Sequence, residues 1–169
     1  MTDGGVLFRL WAPEVRRVSL CLIVSTEAPQ EVLPMTRQAG GWFVLHHKTA
    51  KPGDLYQFLI DGGLAVPDPA SRCQARDIHG PSVICNPLTY NWNDRNWRGR
   101  SWEEAVIYEL HVGTFSPHGT FNGVTKRLDY LVDLGVTAIE LMPICQFPGK
   151  FNWGYDGALL FAPSISYGR

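Results

Sequence analysis

Three carboxylates could carry acid–base chemistry in this chain: Glu109, Glu140 and Asp156. Each falls in or shortly after an apolar run that predicts a strand, and proton transfer needs a group held in a fixed place. Glu109 alternates with His111 in the first of these runs. We interpret Glu109, His111 and Glu140 as a hydrogen-bonded polar layer, and we assign no catalytic residue.

Composition limits the partners of the protein. The chain has 169 residues and a formal net charge of -1, from 15 basic and 16 acidic residues. This balance offers no positive surface for nucleic acid or for a membrane, so we expect a neutral partner. No apolar run approaches the roughly 20 residues of a membrane span, and a cytoplasmic location is expected. The four cysteines lack metal-site spacing, and we expect neither a metal nor a cofactor.

The elements that must position these residues begin with a β-rich region. Runs of β-branched and aromatic residues at 6–11, 17–24, 42–47 and 55–60 are separated by glycine, proline and aspartate turns. They predict antiparallel strands, and we expect an all-β immunoglobulin-like sandwich over residues 1–90. Two tryptophans in these runs are interpreted as core residues, because an aromatic residue in an alternating strand is usually buried. They are Trp11 and Trp42.

Residues 91–102 lose this pattern and are predicted to be a linker. Aromatic residues in and beside this segment could hold it by packing against a neighbouring domain. They are Tyr90, Trp92, Trp97 and Trp102. We therefore expect a linker that docks.

Residues 103–169 change to a strand, helix, strand pattern. The apolar runs 105–112 and 136–142 predict two parallel strands. The helix between them has apolar residues at the spacing of one face: Val124, Leu128, Leu131 and Leu134. Gly135 is placed to cap that helix. One βαβ unit leaves a parallel sheet uncovered, so we expect the first elements of an incomplete (β/α)8 TIM barrel, a fold of roughly 250 residues.

These runs resemble the α-amylase superfamily. VIYELHVGTF at 106–115 and GVTAIELMP at 135–143 look like the first two barrel strands of its glycogen-branching and debranching members. NWGYDG at 152–157 is similar to the loop after the second strand. FRLWAP at 8–13 resembles the N-terminal sandwich of those enzymes, which is related to carbohydrate-binding modules.

A further set of strings resembles one branch of that superfamily. PDPASRCQ at 67–74, HGPS at 79–82 and FPG at 147–149 are similar to the malto-oligosyltrehalose trehalohydrolases of glycoside hydrolase family 13. The resemblance implies hydrolysis of an α-1,4 bond that releases trehalose, with an α-1,4-glucan or maltooligosyl-trehalose as partner. It also implies that the catalytic acids lie on later strands, so that this chain is inactive alone.

The resemblance implies a substrate-binding role for Tyr155, Asp156 and Trp153. Tyr155 would form a platform beneath the sugar, because an aromatic ring face suits the apolar C–H face of a pyranose. Asp156 could accept hydrogen bonds from sugar hydroxyls. Three alternatives stay open: a fragment of a branching or debranching enzyme, a non-catalytic α-glucan-binding module, and a half-barrel completed by another chain.

Overall fold

A computed structural model describes residues 4–23 and 30–168. The chain divides into two compact units, Met1–Pro87 and Leu88–Arg169. The domain limits expected from the sequence stay a prediction: 1–90, 91–102 and 103–169. Within the described ranges, no helix is long and apolar enough to cross a membrane.

The described residues of the first unit form eight short strands. They are β1 Val6–Trp11, β2 Val18–Ile23, β3 Glu31–Pro34, β4 Thr36–Arg37, β5 Trp42–His47, β6 Leu55–Ile60, β7 Leu64–Val66 and β8 Ser82–Val83. β1, β5 and β6 confirm the sequence prediction residue for residue. The run 17–24 forms β2, and Val24 lies outside the described residues.

Two antiparallel sheets share the core of this unit. One has the order β1-β5-β4, and the other has the order β3-β2-β6-β7 with β8 paired to β6. Burial alternates along β1, where Val6, Phe8 and Leu10 are buried, and Leu20 and Phe58 of the second sheet join the same core. A mostly β first unit is therefore confirmed, whereas its immunoglobulin-like topology stays a prediction.

The core placement expected for Trp11 and Trp42 is wrong. Trp11 is 60% exposed and Trp42 is 36% exposed. The two residues are direct partners in the β1–β5 register, on the strand face opposite to Phe8 and Phe43. Because side chains alternate between faces along a strand, burying Phe8 and Phe43 turns both indoles outward.

The second unit contains the predicted strand, helix, strand order. Its elements are β9 Ile107–Leu110, α1 Val112–Phe115, α2 Phe121–Thr125, α3 Leu128–Asp133, β10 Ala138–Leu141, β11 Cys145–Gln146 and β12 Leu159–Pro163. β9 and β10 are parallel neighbours, which confirms the βαβ unit. β11 and β12 form a separate antiparallel pair. The closed barrel is not among the described elements and stays a prediction.

The predicted helix forms as two short helices. Lys126 and Arg127 separate α2 from α3, and Arg127 has φ -112° and ψ 7°, outside the helical region. Of the apolar residues predicted for one helix face, Val124 and Leu131 are buried, whereas Leu134, the C-cap of α3, is 60% exposed. Gly135 ends α3 as predicted.

The end of α3 is a Schellman motif. Gly135 has φ +92°. Its amide donates to the Val132 carbonyl over 2.9 Å, and the Val136 amide donates to the Leu131 carbonyl over 2.9 Å. This pair of bonds satisfies two carbonyl groups that would otherwise lack helical partners.

The aromatic residues expected to dock the linker are exposed in the described structure. Tyr90, Trp92, Trp97 and Trp102 are each more than 60% exposed. Tyr90 and Trp92 contact each other edge to face, with ring centroids 4.8 Å apart. Docking of this segment stays a prediction.

Candidate functional site

The loop between β11 and β12 is organised around one side chain. Asn152 is only 5% exposed, and its Oδ1 accepts hydrogen bonds from three consecutive backbone amides. The donors are Gly154 at 2.8 Å, Tyr155 at 3.1 Å and Asp156 at 3.2 Å. Asparagine commonly bonds to backbone groups a few residues ahead, and here it closes a compact loop.

Gly154 fits this loop against Pro143, two residues beyond the end of β10. Its φ is +101°, in the region that favours glycine. A Cβ at this position would lie 2.8 Å from Cδ of Pro143. Only a residue without a side chain satisfies both requirements.

The predicted sugar-binding residues project from this loop. Trp153 is 81% exposed, Tyr155 is 83% exposed and Asp156 is also exposed. Phe151, directly before Asn152, is 92% exposed. The loop therefore presents aromatic rings and one carboxylate outward from a buried polar anchor.

His111 ties the loop to the start of α1. Its Nε2 lies 2.7 Å from the backbone oxygen of Asn152. Since a carbonyl oxygen can only accept, Nε2 must carry the hydrogen. The Tyr167 hydroxyl lies 3.2 Å from the same nitrogen, and the two rings meet edge to face.

Tyr167 packs against His111 in the interior of the second unit. It is 4% exposed and contacts the rings of Phe121 and Phe147. Burial raises the pKa of the Tyr167 hydroxyl, and its electrostatic interaction with Cys145 raises this pKa further. The hydroxyl thus stays protonated at neutral pH.

These residues border a cavity of about 520 Å³. Its lining includes His111, Thr114, Met142, Asn152, Trp153 and Tyr167. Of the three residues predicted from the sequence, Trp153 borders the cavity, while Tyr155 and Asp156 lie on the same loop outside its lining. Cavities of this size with mixed aromatic and polar walls are typical of ligand sites.

Two polar atoms beside this cavity are buried without a hydrogen-bond partner among the described residues. They are Nδ1 of His111 and Nδ2 of Asn152. Buried polar atoms usually have a partner, so these two nitrogens are exceptions among the described residues.

The polar layer expected from Glu109, His111 and Glu140 is not formed in the described structure. Glu109 and Glu140 are adjacent in the parallel register of β9 and β10, but both are exposed. His111 lies one residue beyond β9, where it precedes α1, rather than inside the strand. The strand is shorter than predicted because the chain turns into α1 at this point.

Sequence reasoning missed the roles of Asn152, His111 and Tyr167 in this site. The Asn-x-Gly spacing at 152–154 is a local signal of a side-chain-capped turn. His111 and Tyr167 gave no such signal, because their partners lie 41 and 56 residues away along the chain.

Comparison with known proteins matches both units to families. Residues 1–69 match carbohydrate-binding module 48, the isoamylase N-terminal domain, and residues 82–168 match the alpha amylase catalytic domain. The malto-oligosyltrehalose trehalohydrolase of Saccharolobus solfataricus is 46% identical over 99% of this chain, which covers 29% of that protein.

Solved structures agree with these matches. A protein of Salmonella typhimurium assigned to the alpha amylases has a TM-score of 0.89 and 46% identity, over 96% of this chain and 27% of its own. A pullulanase from Anoxybacillus sp. LM18-11, solved in complex with maltotriose, has a TM-score of 0.85 and 26% identity, over 99% of this chain and 28% of its own. The chain thus spans less than a third of the length of these relatives. The chain belongs to the α-amylase family, glycoside hydrolase family 13.

Proposed function

We propose that this chain is part of an enzyme that hydrolyses an α-1,4 bond of maltooligosyl-trehalose and releases trehalose in the cytoplasm. The similarity to a trehalohydrolase over nearly the whole chain supports this substrate. In this proposal the chain supplies part of the sugar-binding surface and none of the catalytic acids.

One observation carries the proposal: a buried asparagine holds an aromatic loop open to solvent beside a cavity. Tyr155 offers a ring face for the apolar side of a glucose unit, and Trp153 extends this surface to the cavity wall. Asp156 accepts hydrogen bonds from sugar hydroxyls. A neutral sugar also suits a chain whose net charge is -1.

Hydrolysis of the glycosidic bond requires catalytic carboxyl groups in addition to a sugar-binding surface. A retaining glycosidase uses a carboxylate nucleophile and a protonated carboxylic acid about 5 to 5.5 Å apart. Glu109 and Glu140 are both exposed to solvent, and neither borders the cavity. We therefore expect the 169-residue chain to bind its glucan without cleaving it.

The test is a calorimetric titration of the chain with maltotriosyl-trehalose, alongside an assay for free trehalose. We expect Tyr155→Ala to weaken binding about tenfold, which corresponds to about 1.4 kcal/mol. Tyr130→Ala is the matched control, because Tyr130 is an exposed tyrosine of α3 outside the loop and the cavity lining.

Two results would overturn the proposal. Equal affinities for Tyr155→Ala and the unchanged chain would remove the loop from the sugar site. Release of trehalose that disappears in Glu140→Gln or Asp156→Asn would show that the chain carries catalytic acids after all.

The outer face of the first unit favours a second candidate, a non-catalytic α-glucan-binding module. Trp11 and Trp42 are exposed partners on that face, and the Trp11 indole is fixed by a 2.9 Å bond from Nε1 to the Gly40 carbonyl. The guanidinium of Arg9 lies 4.5 Å from the Trp42 ring centre, which covers one face of that ring. Binding that is lost in Trp42→Ala and kept in Tyr155→Ala would favour this module.

A branching or debranching enzyme is the remaining alternative for the whole protein. Such an enzyme has no need of a trehalose end, so a glucan that lacks this end would serve it equally well. Titration with maltopentaose distinguishes the two, since we expect this unmodified glucan to bind more weakly than maltotriosyl-trehalose.

A further inference from the structure

We propose that Asn152 and His111 are positioning residues that hold the loop 151–156 in its sugar-binding shape. The inference rests on the proposed function, because it assigns a purpose to the shape of that loop. Neither residue needs to touch the sugar for this role. Each acts through the backbone that carries Trp153 and Tyr155.

The side chains of the loop cannot fix its shape by packing. Phe151, Trp153 and Tyr155 are each more than 80% exposed, so they bury little apolar surface. A loop with so few apolar contacts depends on its backbone hydrogen bonds for order. Here those bonds converge on Oδ1 of Asn152, which accepts three amide hydrogens in a row.

Asn152 acts through its acceptor oxygen alone. Its Nδ2 is buried and has no partner among the described residues. Aspartate keeps the acceptor oxygen at the same place and removes the unpartnered donor, and a carboxylate accepts backbone N–H groups well. Leucine has nearly the same shape but offers no acceptor. The pair Asn152→Asp and Asn152→Leu therefore separates acceptance of the three amides from filling of the space.

His111 fixes the other end of this anchor. Its Nε2–H donates to the backbone oxygen of Asn152, whose side chain holds the loop. The ring is confined on one side, since a Cβ on Gly113 would lie 2.9 Å from Cε1 of His111. The Nδ1 atom is buried and has no described partner, so the donor at Nε2 is the atom that matters.

Two amide side chains distinguish these nitrogens. The side-chain amide of glutamine reaches about as far as Nε2 of histidine, whereas that of asparagine reaches only about as far as Nδ1. We expect His111→Gln to keep the bond to Asn152 and His111→Asn to lose it. If His111 only filled space, His111→Gln would have no reason to preserve the loop better than His111→Asn.

The experiment measures amide hydrogen exchange by NMR at Gly154, Tyr155 and Asp156, and calorimetric binding of maltotriosyl-trehalose. We expect exchange at these amides to become about tenfold faster in Asn152→Leu and His111→Asn. Glycan Kd should rise by about tenfold in the same variants, because the loop is no longer preorganised. Asn152→Asp and His111→Gln should stay within about threefold of the unchanged chain on both measures.

The outcomes separate this inference from the proposed function. Unchanged exchange in both Asn152→Leu and His111→Asn overturns the positioning role. Equal effects of His111→Gln and His111→Asn overturn the role of the Nε2 donor. If exchange quickens as expected while Kd is unchanged, the loop does not serve the sugar site; a Tyr155→Ala variant that binds normally would then reject the proposed function as well.

Discussion

At the scale of single residues, two uncharged residues determine the shape of the loop 151–156. Oδ1 of Asn152 accepts hydrogen bonds from three backbone amides. Gly154 has no side chain, so the loop can pack closely against Pro143. Both features concern the backbone, which is why the aromatic side chains of the loop are free to face solvent.

Gly154→Ala should destabilise the second unit by about 2 to 5 kcal/mol. A left-handed backbone costs about 1 to 2 kcal/mol, and steric overlap adds about 1 to 3 kcal/mol. The overlap arises at Cδ of Pro143, 2.8 Å from the new Cβ. Urea unfolding followed at resolved amide signals of the second unit measures this loss.

Gly149→Ala is the control for that substitution. Gly149 also has a positive φ, +83°, but a Cβ added there would meet no atom within 4 Å beyond its chain neighbours. We expect only the backbone cost of about 1 to 2 kcal/mol. Equal losses in the two variants would show that Pro143 does not constrain the loop.

The residues of the site were predictable to different degrees. Trp153, Tyr155 and Asp156 follow from the resemblance of the NWGYDG string to a known loop, and their exposure agrees with a binding role without testing it. Asn152 carries a local turn signal that sequence alone can reveal. His111 and Tyr167 could not be predicted, because their contacts depend on how distant segments meet.

At the scale of elements, alternation predicted strands better than periodicity predicted the helix. β1, β5 and β6 begin and end at the predicted residues, since turn-forming residues flank each of them. The helix divides at Lys126 and Arg127, and neither position is a glycine or proline that would have predicted the break. Alternation also left open which face of β1 is buried, and this is why Trp11 was misplaced.

The divided helix gives a direct test of which side chains support the βαβ unit. Leu131→Ala should lower the free energy of unfolding by about 2 to 5 kcal/mol, because it removes a buried leucine from a packed core. Leu131 is 2% exposed and belongs to the core cluster of Leu110, Val112 and Phe147. Urea unfolding followed at amide signals of β9 and β10 measures the effect.

Leu134→Ala is the matched control at the end of the same helix. Leu134 is 60% exposed, so its loss should stay within about 0.5 kcal/mol. Similar losses in the two variants would show that Leu134 also packs into the core. That result would contradict its exposure at the end of α3.

At the scale of the whole molecule, the fold of the first unit can be predicted from its sequence pattern more completely than the fold of the second unit. The first unit closes a core between two sheets, so strand periodicity suffices to predict its class. The second unit contributes a single parallel pair, β9 and β10, and a βαβ unit occurs in many α/β folds. Its assignment to the α-amylase family therefore depends on the match over residues 82–168.

The first unit should lose stability in alkaline solution. Tyr56 is 8% exposed and donates a 2.6 Å hydrogen bond to Oδ2 of Asp68. Burial raises the pKa of Tyr56 above its ordinary value of 10.0, and the charge of Asp68 and this bond raise it further. The folded state thus keeps a proton that the unfolded state releases, so stability falls as pH rises above about 10.

Urea unfolding followed by circular dichroism between about pH 9 and pH 11 checks this dependence. The fall should approach about 1.4 kcal/mol per pH unit for one such tyrosine. Tyr56→Phe should be less stable at neutral pH but should show a shallower alkaline fall. An unchanged slope in Tyr56→Phe would show that other groups cause the loss.

The decisive measurement for the proposed sugar site is which tryptophans respond to the glycan. The chain has six tryptophans, so its indole N–H signals can be assigned in a ¹H–¹⁵N spectrum during titration with maltotriosyl-trehalose. We predict that the Trp153 indole and the Gly154, Tyr155 and Asp156 amides shift together, while the Trp11 and Trp42 indoles do not. Shifts at Trp11 and Trp42 with none at Trp153 would contradict this site, because the sugar would then bind to the outer face of the first unit.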